Sequence, residues 1–552
     1  QESAATLANQ INSGALPFAL SAESYSTISP TLGTQSLEVM TLAGVVAFAL
    51  VALLMIVRYR LPGTIASISL LGQVCATLAI VSGYFSIFPG STLTLPGIAG
   101  IILGIGMGVD ANVITAERIK EELAKNKTLD GAVKNGFKLG LSPIIDGNVT
   151  VVIVAAILMG AFGPTDGFWA KVFSPIFFWF GPSTAGTIYS FGFTLLTSVL
   201  LNFVFGVWAT RVMIRGAIHC KALRNPWLYG GKKEGGAVYK TPSIDFVGNR
   251  KKFYAFTGCI IAAILAFSCV FGVSMDIEFK GGSMITLAYE GDADLTALET
   301  TVEESLGQKN LTLQTGADIS GAQTLTITLP GTSTLTTEQL DALLTTLNEQ
   351  YPDNQFAQSE VSNVDATIGN EFLLKSVGAL VAACVLILLY VAYRFRRIGG
   401  WRAGVTAVVA LMHDLLIIFG AFVVLQIPLN GNFIAAMLTI LGYSINDTVV
   451  IYDRIRENSA LFGKRQMNLK ELVNLSVNQS FSRSIMTSVT TCLALGVVCV
   501  VSVVYRLDSI YTFALPLLFG LFSGVYGTIC IATTLWYDWK THGKKLPDKK
   551  KA

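Results

Sequence analysis

This sequence has few charged residues for its length. Asp, Glu, Lys and Arg make up 14% of the 552 residues, histidine occurs only three times, and 52% of the residues are hydrophobic. The mean hydropathy of +0.58 excludes an ordinary soluble globular protein. Apolar runs of about 20 residues, the length that crosses a bilayer as a helix, predict eleven spans. We place them at about 39–58, 64–88, 94–116, 144–163, 185–210, 253–273, 372–393, 401–425, 432–453, 484–504 and 511–535.

Lysine and arginine are missing from the first 37 residues and are unevenly distributed after them. If this first segment lies outside the cytoplasm, 34 of the 39 Lys and Arg residues fall in cytoplasmic segments, as the positive-inside rule requires. The five exceptions are Lys171, Lys280, Lys309, Lys375 and Arg506. Orientation and anionic lipid therefore explain the basic loops, and no nucleic-acid partner is expected. A first segment that lies outside the cytoplasm must be carried across the membrane. We therefore expect further sequence upstream of Gln1, with at least one span.

No pair of cysteines has the spacing of a redox or metal motif. The eight cysteines lie in predicted spans or in predicted cytoplasmic segments, so neither a disulfide framework nor a CxxC site is expected. We therefore predict no metal and no cofactor.

Two stretches carry a carboxylate inside an apolar run. They are GIGMGVDANVITAERI (Gly104–Ile119) and ILGYSINDTVVIYDRI (Ile440–Ile455), which contain Asp110 and Asp447 and both end in an acid-Arg-Ile triplet. A carboxylate at the centre of a bilayer costs about 3 kcal/mol on insertion scales, so a matched pair indicates function. At about 1.5 Å per residue both acids lie at similar depth in their spans, and we expect them to face each other.

The similarity extends over the membrane part of the chain. The corresponding segments are Tyr59-Arg60 and Tyr393-Arg394 at an offset of 334 residues, the two Asp-bearing units at 336, and Asn148-Val149-Thr150 and Ser488-Val489-Thr490 at 340. These offsets predict two pseudo-equivalent helical halves. Internal repeats of this kind place the working site at the interface between the halves, near the middle of the membrane.

Residues 274–370 form the one sizeable polar insertion between predicted spans. Their hydrophobic patterns predict the order βαββαβ, which is that of a ferredoxin-like module. The elements are expected at Met284–Tyr289, Asp294–Leu306, Leu311–Gln314, Thr324–Leu329, Thr337–Gln350 and Phe356–Val361, with a capping box at Thr336 and Gln339. The predicted fold class is an all-α polytopic membrane protein with an inserted ferredoxin-like α+β domain outside the membrane.

Three other segments are interpreted from their composition. Residues 117–139 predict an amphipathic helix on the membrane surface. Residues 168–182 are aromatic-rich and predict an interfacial segment on the outer face. Residues 211–252 contain ten basic residues and predict a cytoplasmic linker between the halves.

Several long motifs resemble a known family. GMGVDANVITAERIKEEL, DGNVTVV, GYSINDTVVIYDRIREN, NQSFSRSIMTSVTT and the pair His413-Asp414 are similar to the SecD and SecF membrane proteins of the bacterial Sec pathway, here joined in one chain. The opening INSGALPFALSAESYSTISPTLG resembles the end of that family's first extracytoplasmic domain. The family's first span and most of this first domain, which captures substrate, have no counterpart in the sequence.

The resemblance implies a twelve-span fold of the resistance-nodulation-division superfamily, with eleven spans present. The implied domains are a remnant of the first extracytoplasmic domain (1–37), a SecD-like transmembrane half (38–210), the linker (211–252), the first span of the SecF-like half (253–273), the outer domain (274–370), the rest of that half (371–535) and a basic tail (536–552).

The resemblance also implies a function. It is that of a Sec translocon accessory subunit, not an enzyme, which uses the proton motive force to promote translocation and release of unfolded preproteins. The implied partners are a SecYEG-like channel, a YidC-like insertase, the preprotein, protons and the lipid bilayer. The implied location is the bacterial cytoplasmic membrane, with residues 1–37 and 274–370 outside. The resemblance assigns Asp110, Asp447 and Arg483 to proton conduction.

Further polar residues in the spans could extend a watered path. They are Asn112, Asp146, Asn148, His413, Asp414, Asn446, Thr448, Thr487 and Ser488. Each is equally consistent with hydrogen bonding between helices, and His413 and Asp414 with a buried pair. The two central aspartates could instead be a static pair that fixes packing, and Arg483 could extend to the interface. Gly104, Gly106 and Gly108, predicted on one face, favour close helix approach rather than ligand binding.

Two other functional classes fit part of the pattern. Paired intramembrane aspartates also suggest an aspartyl protease, but that interpretation explains neither the repeat nor the outer domain. A proton-driven exporter of small molecules or lipids from the same superfamily fits the two halves equally well. Such an exporter is expected to carry large outer domains in both halves, and its loss should cause drug sensitivity rather than accumulation of precursors.

Overall fold

Eleven helices in the described part of the chain are long and apolar enough to cross a membrane, as predicted. The computed structural model describes residues 24–28, 30–85, 91–180, 185–231, 242–291, 295–306, 311–317, 323–330, 337–462 and 468–542. The chain folds as two compact units, one of which contains the sheet and the other the spans. The predicted fold class, a helical membrane protein with an inserted α+β domain, is confirmed.

The α-helices are numbered in chain order. They are α1 (Pro30–Tyr59), α2 (Leu61–Val81), α3 (Leu95–Gly108), α4 (Asp110–Ala124), α5 (Leu129–Phe162), α6 (Phe168–Phe177), α7 (Gly186–Asn202), α8 (Thr210–His219), α9 (Arg250–Phe271), α10 (Ile277–Lys280), α11 (Leu295–Leu306), α12 (Thr337–Gln350), α13 (Ala366–Arg394), α14 (Gly400–Val424), α15 (Gly431–Phe462), α16 (Leu469–Val504), α17 (Asp508–Tyr526) and α18 (Thr533–Thr541).

Short segments of other helix types join some of these. The π-helical segments Phe203–Ala209 and Gly527–Ala532 connect α7 to α8 and α17 to α18, so each pair forms one span. The 3₁₀ segments are Phe178–Phe180, Lys221–Leu223, Pro226–Tyr229 and Arg396–Ile398. A one-residue interruption at Val109 separates α3 from α4, directly before Asp110. The short aromatic helix Phe168–Phe180 is not one of the eleven spans.

The surface helix predicted for residues 117–139 is wrong. Helix α4 continues the third span to Ala124, and α5 starts at Leu129 and runs through Pro143 as part of the fourth span. Glu117 and Glu122 are 3% and 2% exposed. Their charges are paired, for example with Lys125 and Lys127 at Glu122, and pairing allows charged side chains to be buried.

The sheet has the strand order β1-β5-β2-β4-β3, and each pair of adjacent strands is antiparallel. Its strands are β1 (Ser24–Ile28), β2 (Gly282–Tyr289), β3 (Thr312–Ala317), β4 (Gln323–Pro330) and β5 (Ala357–Val364). The four strands of the insertion therefore follow the spatial order fourth, first, third, second of a ferredoxin-like module. Helix α12 has the predicted bounds. Thr336 of the predicted capping box lies outside the described residues.

Alternating side chains of the sheet and the apolar faces of its two long helices form one core. Ile285 of β2, Ile327 of β4, Leu298 of α11 and Leu343 of α12 are fully buried in it. This arrangement explains why period-two and period-3.6 patterns located these elements from the sequence.

Residues Ile244–Gly248 are attached to the start of α16 by side-chain hydrogen bonds. Asn474 accepts from the amide of Val247 at 3.1 Å and donates to Asp245 at 2.7 Å. Lys470 contacts the same carboxylate at 2.7 Å. The Lys470 ammonium and the Gly248 amide hold the pKa of Asp245 below its usual range.

Replacing Asp245 is expected to loosen this attachment. In Asp245→Asn, hydrogen exchange of residues 244–248 should be faster than in the unchanged chain at neutral pH. Because the folded-state pKa of Asp245 is lowered, its contribution is present above the ordinary carboxyl pKa of about 3.9 and is lost as the pH falls further. The difference in melting temperature between the two proteins should therefore shrink in acid. A difference that does not depend on pH would contradict the role of the ionised carboxylate.

Candidate functional site

Asp110, Asp447 and Arg483 are buried together in the helical unit. Their exposed fractions are 6%, 8% and 8%, and they lie close enough for their charges to interact. Asp110 begins α4, Asp447 lies in α15 and Arg483 in α16. One predicted half thus supplies an acid, and the other supplies an acid and a cation. Burial disfavours the ionised form of both carboxyl groups, and the single positive charge of the guanidinium offsets part of their negative charge. Their part in proton conduction stays a prediction.

Close helix contact at a glycine brings α3 against α16. A Cβ atom on Gly106 would lie 2.7 Å from the Cα atom of Thr491, so only glycine fits at this position. The expectation that Gly104, Gly106 and Gly108 favour helix approach is confirmed. The expectation that they share one face is wrong, because Gly104 meets α7 and Gly108 meets α2. Successive even positions of a helix differ by about 200°, which puts Gly106 on the opposite side.

A second glycine brings α5 against α15. A Cβ atom on Gly147 would lie 1.7 Å from Oδ1 of Asn446. The residue next to Asp447 is therefore held against the first half, and Asn148 of α5 lies beside it in a shared cavity. These contacts fix where the two halves meet.

Tyr443 joins the cluster, although the sequence did not single it out. It lies within range of both aspartate charges, and its hydroxyl donates to the Thr487 carbonyl at 3.3 Å and to Oγ1 of Thr491 at 3.0 Å. The Thr487 side chain is within hydrogen-bonding reach of Asp447. Tyr443 stands four residues before Asp447, one helical turn away, which is the spacing that could have identified it.

Among the described residues, several buried polar atoms around this cluster have no hydrogen-bond partner in the protein. They are Gln73 Oε1, Asp110 Oδ1, Asn148 Nδ2, Asn202 Oδ1, Arg483 Nη2 and Ser484 Oγ. Asn112 and Ser488 also carry such atoms, but Ser488 lies on the opposite face of α16. A buried polar atom left unsatisfied costs about 1–3 kcal/mol. Such a concentration is therefore suited to hydrogen bonding with water.

Small polar cavities lie against the cluster. One contains Asp110 in its wall together with Gln73, Asn148, Asn202 and Asn446. The other contains Arg483 in its wall together with Glu121, Arg118, Arg454 and Gln479. Asp110 therefore borders one polar region and Arg483 the other. A larger, apolar cavity is lined by the opposite face of α16, where Ile485 and Val489 are partly exposed, and it includes Ser488.

Asp146 forms an ion pair elsewhere in the bundle. Its carboxylate accepts from Arg394 Nε at 2.7 Å and from the Tyr390 hydroxyl at 3.2 Å. Arg394 also donates to the Ser142 hydroxyl. The sequence analysis placed Asp146 among residues of a watered path, and the structure shows it linking α5 to α13.

Removing the Asp146 carboxylate is expected to lower stability without stopping proton conduction. In Asp146→Ala, Arg394 loses a charged hydrogen-bond partner, which should cost roughly 2 kcal/mol of unfolding free energy. Thermal unfolding in detergent measures this loss. Proton uptake by liposomes that contain the variant, measured per amount of reconstituted protein, should equal that of the unchanged chain. Abolished uptake in a folded variant would place Asp146 on the path.

The remaining predicted path residues make local contacts. His413 Nδ1 lies 3.0 Å from Asp414 Oδ1, and Asp414 also accepts from Ser523 at 2.5 Å and from Ser444 at 2.6 Å. This is a buried network, as the alternative interpretation of the pair proposed. Thr448 bonds Thr528 at 2.8 Å.

Comparison with known proteins identifies the family. Residues 10–174 and 342–542 match the family described as "Protein export membrane protein SecD/SecF, C-terminal". The protein translocase subunit SecDF of Bacillus subtilis is 32% identical over 99% of this chain and 70% of the relative. The SecDF of Thermus thermophilus is 32% identical over 98% of this chain and 67% of its own length. The chain thus spans about two thirds of these relatives.

Solved structures agree. The crystal structure of Thermus thermophilus SecDF, described as a translocon-associated membrane protein, matches with a TM-score of 0.77 and 31% identity over 98% of this chain and 68% of the other. The hedgehog release protein Disp of the water bear matches with a TM-score of 0.54 at 12% identity over 91% of this chain and 70% of the other, which shows a shared fold alone. The chain is therefore a multi-pass membrane protein that belongs to the SecD/SecF family, with the SecD-like and SecF-like parts joined as in SecDF.

Proposed function

We propose that this chain supports Sec-dependent protein export by coupling proton movement through Asp110, Asp447 and Arg483 to the release of unfolded preproteins. The observation that carries the proposal is the burial of two acids and one guanidinium where the two halves meet, in contact with two polar cavities. Named relatives are translocase subunits, which supports export as the task.

The arrangement meets the requirements of a proton carrier. A carboxyl must accept a proton from one side and release it to the other, so both its neutral and its ionised forms need to be accessible. Burial favours the neutral form and the guanidinium favours the ionised form. A membrane potential of 100 mV supplies about 2.3 kcal/mol per charge. That energy is enough to bias two conformations that differ by a few kcal/mol.

The orientation and the partners follow from the same proposal. Lys and Arg concentrate in loops assigned to the cytoplasm, which supports an extracytoplasmic position for residues 274–370 in a bacterial cytoplasmic membrane. A sheet module there could contact an emerging preprotein. The proposed partners are a SecYEG-like channel, with a YidC-like insertase beside it.

Precursor accumulation tests the function. Cells that depend on this protein should accumulate uncleaved secretory precursors when it is depleted and should recover when it is restored in a chain of the full length of its relatives. Unchanged sensitivity to apolar drugs is expected alongside. Drug sensitivity with normal precursor processing would instead favour the alternative function, a proton-driven exporter of small molecules or lipids, which the shared fold with Disp permits.

A further inference from the structure

Four charged residues at one end of the bundle form a closed ring. Arg118 donates to Glu121 at 3.1 Å and to Glu457 at 2.9 Å, and Arg454 donates to Glu457 at 3.0 Å and to Glu121 at 3.1 Å. Each arginine therefore binds one glutamate of its own helix and one of the other half. We call Arg118, Glu121, Arg454 and Glu457 the charge ring.

The charge ring is built by the sequence repeat. Arg118 and Arg454 are 336 residues apart, and so are Glu121 and Glu457. The side chains of Arg118, Arg454 and Glu121 are only 6%, 10% and 11% exposed. A symmetric ring of this kind can form only when α4 and α15 lie side by side, so it reports directly on how the two halves are placed.

The ring lies next to the proposed proton site. Arg118 is eight residues beyond Asp110 and Arg454 seven beyond Asp447, about 12 Å and 10 Å along their helices. Three of the four ring residues line the cavity at Arg483, namely Arg118, Glu121 and Arg454. Gln479, four residues and about one helical turn before Arg483, accepts from Arg454 at 2.7 Å. A polar route from Arg483 that passes through this cavity therefore meets the ring.

We propose that the charge ring is the cytoplasmic closure of the proton route. With the four contacts made, the halves are held together and the paired side chains block the exit. Separation of α4 from α15 breaks the two contacts between halves, Arg118 to Glu457 and Arg454 to Glu121, and opens the exit. The ring residues position the halves and need not carry the proton. This inference rests on the proposed function.

Neutralising the glutamates tests the closure. In liposomes containing Glu121→Gln with Glu457→Gln, proton entry driven by an imposed pH gradient should rise at least about fivefold over the unchanged chain, read from an enclosed pH-sensitive dye. Glu122→Gln is the matched control, because Glu122 lies on the same helix as Glu121, is also little exposed and pairs with Lys125 and Lys127 outside the ring. Unchanged proton conduction in the double variant would contradict the proposal that the charge ring closes the route.

Linking the halves gives a second test, in which the same variant is compared before and after cross-linking. The pair Arg118→Cys and Glu457→Cys joins the two halves, whereas Arg118→Cys and Glu121→Cys lie on one helix. Both pairs are introduced into a variant in which the eight native cysteines have been replaced and which still conducts protons. A bifunctional thiol reagent should stop conduction only in the first pair, and a cleavable reagent should allow recovery on reduction. Equal effects in both pairs, or none, would overturn the inference.

The two proposals can fail separately. If Asp447→Asn conducts protons as the unchanged chain does, the proposed function fails and the charge ring loses its purpose. If Asp447→Asn is inactive while linking the halves changes nothing, only the closure fails. Should the double glutamine variant not fold, as judged by size-exclusion chromatography, the linked pairs decide the outcome.

Discussion

Asp447→Asn is expected to abolish proton conduction while the protein stays folded in the membrane. Asparagine has nearly the same shape as aspartate and can keep the hydrogen bond from Thr487, but it cannot release a proton. Because the loss removes the acid from a proton-transfer step, proton uptake by liposomes should fall by about 100-fold or more. In a version that carries the upstream sequence, precursors of exported proteins should accumulate in cells as they do without the protein.

Asp146→Asn is the matched control for this experiment. It makes the same chemical change at a buried aspartate of the same bundle, but at one that is paired with Arg394 rather than placed near Arg483. Its conduction should be retained. Normal conduction together with normal export in Asp447→Asn would contradict the proposed mechanism, whereas loss in both variants together with a lowered melting temperature would indicate a structural defect.

Arg483→Gln should be nearly as damaging, for a different reason. It leaves Asp110 and Asp447 buried without their cation, and breaking a buried charge pair from one side costs about 3–5 kcal/mol. We expect a lower melting temperature and a loss of conduction measured with the same dye. Arg483→Lys keeps the charge but lacks the planar guanidinium fork, so it should conduct at an intermediate rate.

The control for Arg483 is an arginine with no place in the cluster. Arg402 is exposed at the start of α14, and Arg402→Gln should leave both melting temperature and conduction unchanged. If Arg483→Lys and Arg483→Gln conducted as the unchanged chain does, the guanidinium would not be part of the route. If both were equally inactive although folded, the geometry of its hydrogen bonds would matter more than its charge.

The sequence predicted the spans and the sheet module because both depend on local periodicity. It also predicted that Asp110 and Asp447 meet, because duplicated units occupy equivalent positions in two halves. The partner of Asp146 was missed, since Arg394 lies 248 residues away in sequence and no pattern relates them. Residues 117–139 were misread for the same reason: their charges suggest a solvated face until the distant partners Glu457 of Arg118 and Arg58 of Glu117 are placed.

The strand β1 was likewise invisible to pattern reasoning. Residues 1–37 were assigned to a remnant of another domain, yet Ser24–Ile28 pair along β5 in a continuous register from Ser24 with Val364 to Ile28 with Glu360. Five residues without a hydrophobic alternation give little signal, and the strand is defined mainly by the backbone groups that β5 offers.

That added strand decides which borders of the sheet can recruit an extended peptide. Main-chain pairing with an incoming chain requires a strand with unpaired amides and carbonyls along one side. With β1 in place, β5 is flanked on both sides, by β1 and β2, and the borders of the described sheet are β1 and β3. A polypeptide that adds to this sheet by main-chain hydrogen bonds must therefore pair with β1 or β3, or else displace β1.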